Sequence, residues 1–279
     1  MSGGREAAPS GVGEISGGGP LIIGHRGASA HAPENTHAAF EQAFTDGADG
    51  IELDVRLARD DLPVVIHDAT FPRTVGIEGE MARFDSTLLA KFHCGEWFNE
   101  RYPRRARWHF ADEHIPTLEQ VYERYGSGVI YVEMKCEEVS RRAALARAVV
   151  EMTRAHKLAP RVVVKSFEHD SLAEVKRLAP EIRTAALFGR SWPHPLVPAS
   201  KIIAAAGACG ADEISLHHSL VRRATVERAR GLGFEVLAWT VNSPLWLRRA
   251  LSLGLRAVFT DYPGRMRAAL AKLRPRRTG

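Results

Sequence analysis

The chain has 279 residues, of which 45% are apolar and 25% charged, an ordinary globular composition with enough length to bury a sizeable core. A total of 38 Lys and Arg against 33 Asp and Glu gives a net charge of +5 and a pI near 9.3, a balance that favours anionic ligands in general and names none. No stretch reaches the roughly 18 apolar residues of a membrane helix, the three cysteines are too scattered for a disulfide framework or a Cys-ligated zinc, and no nucleic-acid-binding motif is present.

Residues 1–19 are rich in Gly, Ser and Ala and lack the apolar core of a secretory signal, so a disordered tail is expected, while the few, scattered cysteines fit a reducing cytoplasm best. The first strand, Leu21 to Arg26, breaks off in Gly24-His25-Arg26-Gly27 and delivers an imidazole and a guanidinium to an open edge. A helix follows that Asn35 or Thr36 caps, with Ala38, Ala39, Phe40, Ala43 and Phe44 on its apolar side and Gly47 at its end. The second strand, Gly50 to Arg56, alternates: Ile51, Leu53 and Val55 face one way, Glu52, Asp54 and Arg56 the other. The run Val64-Val65-Ile66 then ends in His67 and Asp68. From Asp68 to Pro116 the chain is too long for a simple connection. It holds Trp97, Phe98, Arg101, Tyr102, Arg104, Arg105, Arg107 and Trp108, and reads as an insertion over about 70–115 beside a functional edge.

Six further strands are expected at Val129 to Lys135, Arg161 to Ser166, Arg183 to Phe188, Asp212 to Leu216, Phe234 to Thr240 and Ala257 to Thr260. Helix-like stretches lie between them near Thr117 to Tyr125, Val139 to His156, Ser171 to Leu178, Val197 to Ala206, Val221 to Arg230 and Pro244 to Leu253, with Pro263 to Leu273 after the last strand and a short basic tail over 274–279. Eight alternating strand and helix units predict an α/β protein of the (β/α)8 TIM-barrel class, spanning about 20–273. An open doubly wound sheet fits less well, because no Gly-rich dinucleotide fingerprint follows the first strand. In a barrel, functional groups collect at the C-terminal ends of strands, where His25 and Arg26 stand. Hard oxygen ligands beside two imidazoles are what hydrolysis of a phosphate ester requires.

The residues His25-Arg26-Gly27, Ala32-Pro33-Glu34-Asn35-Thr36, Gly47-Ala48-Asp49-Gly50-Ile51-Glu52-Leu53-Asp54-Val55 and Val64-Val65-Ile66-His67-Asp68 together resemble the signature of the glycerophosphodiester phosphodiesterase family. Weaker similarity continues to Asp261. The resemblance implies metal-dependent hydrolysis of a small-molecule glycerophosphodiester to an alcohol and sn-glycerol 3-phosphate. It assigns Glu52, Asp54 and Glu133 to the metal, and Glu133 can join the other two because the strand Tyr131-Val132-Glu133-Met134-Lys135 is the barrel neighbour of the second. Three carboxylates without Cys suit Mg²⁺ or Ca²⁺ better than zinc. His25 and His67 take the general acid and base roles, Arg26 and Lys135 meet the phosphate oxygens, and Phe167 and Trp239, at the ends of two later strands, line the glycerol side. Asp261 closes the last strand as a structural residue, and the insertion is where the family selects substrate. One departure is visible: Asp61 stands where the family usually has the Gly of a tight turn, and must adopt a left-handed conformation. Two other readings remain, a phospholipase D-like reaction on lysophospholipids and a basic binding protein without activity.

Overall fold

The structure, a computed structural model, describes residues 19–189 and 197–273; the tails expected over 1–18 and 274–279 lie outside the described residues. Eight strands run parallel around a closed ring. In chain order they are β1 (Leu21–His25), β2 (Gly50–Leu57), β4 (Val129–Met134), β5 (Val162–Ser166), β6 (Arg183–Phe188), β7 (Glu213–His217), β8 (Glu235–Trp239) and β9 (Ala257–Thr260). β9 pairs back onto β1, with Leu21 opposite Ala257 and Gly24 opposite Thr260, and β1 pairs with β2 on its other side. The expected (β/α)8 barrel is therefore present, because each parallel neighbour needs a crossover helix and closure leaves no free edge.

The ninth strand, β3 (Pro63–Val65), is antiparallel to the outer end of β2 and stands outside the ring. The Val-Val-Ile run before His67 is thus a hairpin return, with Val55 opposite Val65. Asp61 makes that turn at φ 58°, the left-handed conformation expected of it.

The helices are α1 (His37–Thr45), α2 (Ser86–Leu89), α3 (Glu96–Arg101), α4 (Leu118–Tyr125), α5 (Val139–Ala155), α6 (His169–Leu178), α7 (Ala199–Ala208), α8 (Arg223–Gly231), α9 (Trp246–Leu253) and α10 (Pro263–Leu273). Of the two caps considered for α1, Thr36 is the one used: its side chain accepts from the Ala39 amide. α4 opens on a capping box, Thr117 with Gln120. Both α2 and α3 belong to the segment between β3 and α4. That segment has a small apolar cluster of its own around Phe71, Met81, Leu89 and Ile115, against which Phe84 and Phe92 pack.

The alternation of the strands sorts side chains into two layers. Ile51, Leu53 and Val55 of β2 join the large core beneath the helices, together with Val132, Val164 and Ile214. Ile23, Tyr131, Val163, Ala185, Leu237 and Phe259 fill the barrel interior. Below that apolar layer, at the N-terminal ends of the strands, Glu213 is fully buried with Arg183 Nη2 at 2.8 Å and the Tyr131 hydroxyl at 3.2 Å. Above it, toward the C-terminal ends, the interior turns acidic.

Candidate active site

Every residue of β2 is buried, so Glu52 and Asp54, set two apart on its inner face, are carboxylates inside a barrel. Parallel pairing puts Glu133 of β4 level with Asp54. One oxygen from each of the three lies within 4.8 Å of the others. This is the convergence expected from the sequence.

Three cations surround the acids. Lys165 Nζ stands 2.8 Å from Glu52 Oε1 and 3.2 Å from Glu133 Oε2. Lys135 Nζ is 3.3 Å from Asp54 Oδ1 and also contacts Glu133 Oε1. Arg26 brings its Nε to 3.1 Å from Asp54 Oδ2, while its backbone amide donates to Glu52 Oε2 at 2.9 Å. Burial alone would raise a carboxyl pKa. The adjacent cations prevail and hold Asp54 and Glu133 below the usual carboxylate range, so both stay ionised. The same pairing raises Lys135 and Lys165 above the ordinary lysine value, against the effect of burial.

Local backbone fixes Arg26. It has φ 55° and is followed by Gly27 at φ 81°, where an added Cβ would lie 2.5 Å from the Ala39 carbonyl carbon. Only glycine lets the chain turn this tightly against α1. Asn35, also at positive φ, closes the loop by donating to Asp54 Oδ2 at 2.9 Å and accepting from the Asp54 amide.

The acids fit a hard divalent ion on their own evidence. Glu52, Asp54 and Glu133 are buried, their nearest oxygens converge within 4.8 Å, and the donor set is all carboxylate oxygen.

His25 and His67 stand at the rim, each with a carboxylate on Nδ1. His25 Nδ1 is 2.7 Å from Asp261 Oδ1, and Asp261 is itself held by Ser29 Oγ at 3.1 Å and Asn242 Nδ2 at 2.6 Å. His67 Nδ1 is 2.6 Å from Asp68 Oδ1, and Arg73 links Asp68 to Glu34, which also pairs with Arg26. Arg56, on the same face as the acids, donates from Nε to the His67 carbonyl at 2.7 Å and grips Glu137 with both terminal nitrogens. In each imidazole Nδ1 is committed, which leaves Nε2 for other partners.

Burial would lower the His25 pKa, but the Glu52 charge and the Asp261 hydrogen bond overcome it and raise it above 6.5. The protonated ring therefore contributes stability fully below about pH 6.5, and this contribution is lost as pH rises through the raised value. Asp261→Asn should bring the His25 pKa down, read by NMR titration of its ring protons. The stability gap to wild type should be widest in acid and narrow toward alkaline pH. An unchanged titration curve in the variant would remove Asp261 from this role.

Phe167 and Trp239 meet edge to face with centroids 5.6 Å apart, at the mouth ends of β5 and β8. Trp239 Nε1 donates to the Ser215 carbonyl at 3.2 Å, and Phe167 is 43% exposed. Gly189 keeps a space beside both rings. All nine residues singled out in the sequence thus sit at or inside the C-terminal end of the barrel.

Lys165 is the participant the sequence reading passed over. It shares a face with Val163, so period-two alternation points it into the barrel, but a valine run ending in Ser166-Phe167 drew attention to the strand end. Lys165→Met leaves two buried acids short of a cation, which for a broken buried pair costs roughly 3–5 kcal/mol. The variant should melt lower than wild type in EDTA and recover most of the difference when Mg²⁺ or Ca²⁺ is added. A deficit that added metal leaves untouched would contradict this account.

Comparison with known proteins gives consistent results. The family model described as the glycerophosphoryl diester phosphodiesterase family matches residues 25–265. A glycerophosphodiester phosphodiesterase of Caldanaerobacter subterraneus subsp. tengcongensis is 32% identical over 246 residues, covering 87% of this chain and 94% of that protein. One from Bacillus subtilis is 31% identical over 252 residues, covering 87% and 84%. Among solved structures, a phosphodiesterase from Oleispira antarctica in complex with the product sn-glycerol-3-phosphate superposes with a TM-score of 0.78 at 28% identity, over 91% of this chain and 97% of that one.

Proposed function

The chain belongs to the glycerophosphoryl diester phosphodiesterase family and hydrolyses glycerophosphodiesters; on that premise we propose how its own residues divide the work. Glu52, Asp54 and Glu133 hold one divalent ion, Mg²⁺ or Ca²⁺, and the observation that carries this reading is their convergence within 4.8 Å on neighbouring strands. The bound ion supplies positive charge to the phosphoryl oxygens. Arg26 and Lys135, already aligned on Asp54, turn their remaining donors toward the same oxygens, the one as a planar fork and the other as a point charge. Both cations stay charged throughout the working pH range, so they need no proton to act.

His25 and His67 move the protons. One accepts from the attacking hydroxyl, which in this reading is the glycerol's own, and the other donates to the departing alcohol; water then opens the cyclic phosphate with the roles reversed. Asp261 and Asp68 fix the two rings so that Nε2 performs each transfer. Phe167 and Trp239 offer apolar faces to the glycerol carbons. The alcohol half extends toward a cleft of about 640 Å³ between barrel and insertion, lined by Glu34, Arg73, Trp97, Glu100, Arg101 and Tyr102. Cytoplasmic residence agrees with three free cysteines.

The test is a panel of glycerophosphodiesters differing only in the alcohol, assayed for release of sn-glycerol 3-phosphate with Mg²⁺ and with Ca²⁺. Release of the phosphorylated alcohol instead of glycerol 3-phosphate would overturn the assigned orientation of the diester.

A further inference from the structure

The segment 101–109, Arg101-Tyr102-Pro103-Arg104-Arg105-Ala106-Arg107-Trp108-His109, is exposed at all nine positions. Its place is nonetheless fixed. Arg105 Nη1 donates to the Ala30 carbonyl at 2.6 Å, and its guanidinium lies 6.0 Å from the Tyr262 ring. Ala30 in turn donates its amide to the Asp261 carbonyl at 3.1 Å, so the segment is moored at the barrel mouth beside the residue that holds His25.

Two properties of this segment are unused by the reaction. Trp108 is 83% exposed, with a ring contact only to His109 among the described residues. An exposed indole, apolar in its body and polar at its N–H, suits a boundary between water and an apolar phase. Arg104 and Arg107 form no ion pair among the described residues, so their charge is free to meet a partner.

The remaining exposed large apolar side chains fall mostly on one set of connections. Leu62, Ile77, Leu88, Tyr102, Val139, Phe167 and Leu245 lie on segments that leave C-terminal ends of barrel strands; among the described residues only Leu232 lies on a loop feeding an N-terminal end. The apolar exposure is thus concentrated on the connections that form the mouth end of the barrel, and Arg104 and Arg107 lie on one of them.

We infer that this face docks on an anionic lipid surface, with Trp108 entering the headgroup layer and Arg104 and Arg107 meeting lipid phosphates. Indole rings settle at membrane interfaces, and each Arg near an anionic bilayer adds comparably to attachment. A nucleic acid strand would ask for a basic groove with aromatics in series; here the apolar residues are spread around the mouth, as a planar partner requires. No helix of the described residues is long and apolar enough to cross a membrane.

The full chain is sedimented with vesicles of phosphatidylcholine alone and of equal parts phosphatidylcholine and phosphatidylglycerol, at low and high salt. Binding to the anionic vesicles should exceed that to neutral ones and weaken with salt. Arg104→Gln with Arg107→Gln should lower it on the order of 30-fold, and Trp108→Ala roughly tenfold. Leu232→Ser should bind as wild type, and all variants should hydrolyse a water-soluble glycerophosphodiester at the wild-type rate. The inference is overturned by equal binding to both vesicles, by no binding to either, by insensitivity to the Trp108 and Arg changes, or by an equal loss in Leu232→Ser. Salt-sensitive retention of a single-stranded oligonucleotide without vesicle binding would replace the lipid with nucleic acid.

Discussion

EDTA should abolish hydrolysis of glycerophosphodiesters, and Mg²⁺ or Ca²⁺ should restore it, because the phosphoryl oxygens otherwise face a barrel end whose charges are already spent on each other. Glu52, Asp54 and Glu133 contribute three negative charges; Lys165, Lys135 and Arg26 balance them at contact distances. Without an ion, therefore, little net positive potential remains for a phosphodiester. Asp54→Asn and Glu133→Gln, nearly isosteric, should each lower kcat by roughly 10³-fold or more, the scale on which losing a preorganised charge at a transition state is felt. Isothermal titration with Mg²⁺ and Ca²⁺ supplies the second readout: affinity should fall in both variants while the fold, followed by circular dichroism, is kept. Full turnover in metal-free wild type, or unaltered ion affinity in both variants, would end the metal assignment.

His25→Ala and His67→Ala should each cost roughly 10²–10⁴-fold in kcat, with KM much less affected, since a proton carrier acts in the transition state and contributes little to ground-state binding. The two losses should differ in their chemistry. The variant lacking the group that protonates the departing alcohol should lose less on substrates with an acidic leaving group such as p-nitrophenol, which departs without a proton, whereas the other should lose equally on every substrate. This comparison also decides which ring does which. A near-normal rate in either variant on an alkyl alcohol substrate would take that histidine out of the mechanism.

How far the sequence reaches depends on the distance over which each signal acts. Period-two alternation is local, and it placed Glu52, Asp54 and Glu133 on inner faces correctly; parallel pairing then did the rest. The left-handed turn at Asp61 was legible for the same reason, being a property of one residue. The antiparallel direction of β3 was not legible, because three residues, Pro63–Val65, carry no mark of direction. Choosing between Asn35 and Thr36 as the cap of α1 needed tertiary context: Asn35 is drawn away by Asp54, 19 positions later. Asp261 was expected to secure the last strand, and its partnership with His25 joins residues 236 positions apart, where no local pattern operates. Lys165 was hidden by the opposite difficulty. A valine-rich strand announces burial, and a lysine within it looks like an end until the interior of the barrel is known to hold two acids.

The seam between β1 and β9 has a consequence for how the enzyme comes into being. Its first strand is clasped by the last, and the imidazole of one waits for the carboxylate of the other. A ribosome-bound chain can assemble most of the staves in order, yet competence must wait for the final stave to emerge. Such a closure spans nearly the whole polymer, the kind of contact that slows folding most. Birth of activity and completion of the cylinder are therefore a single event.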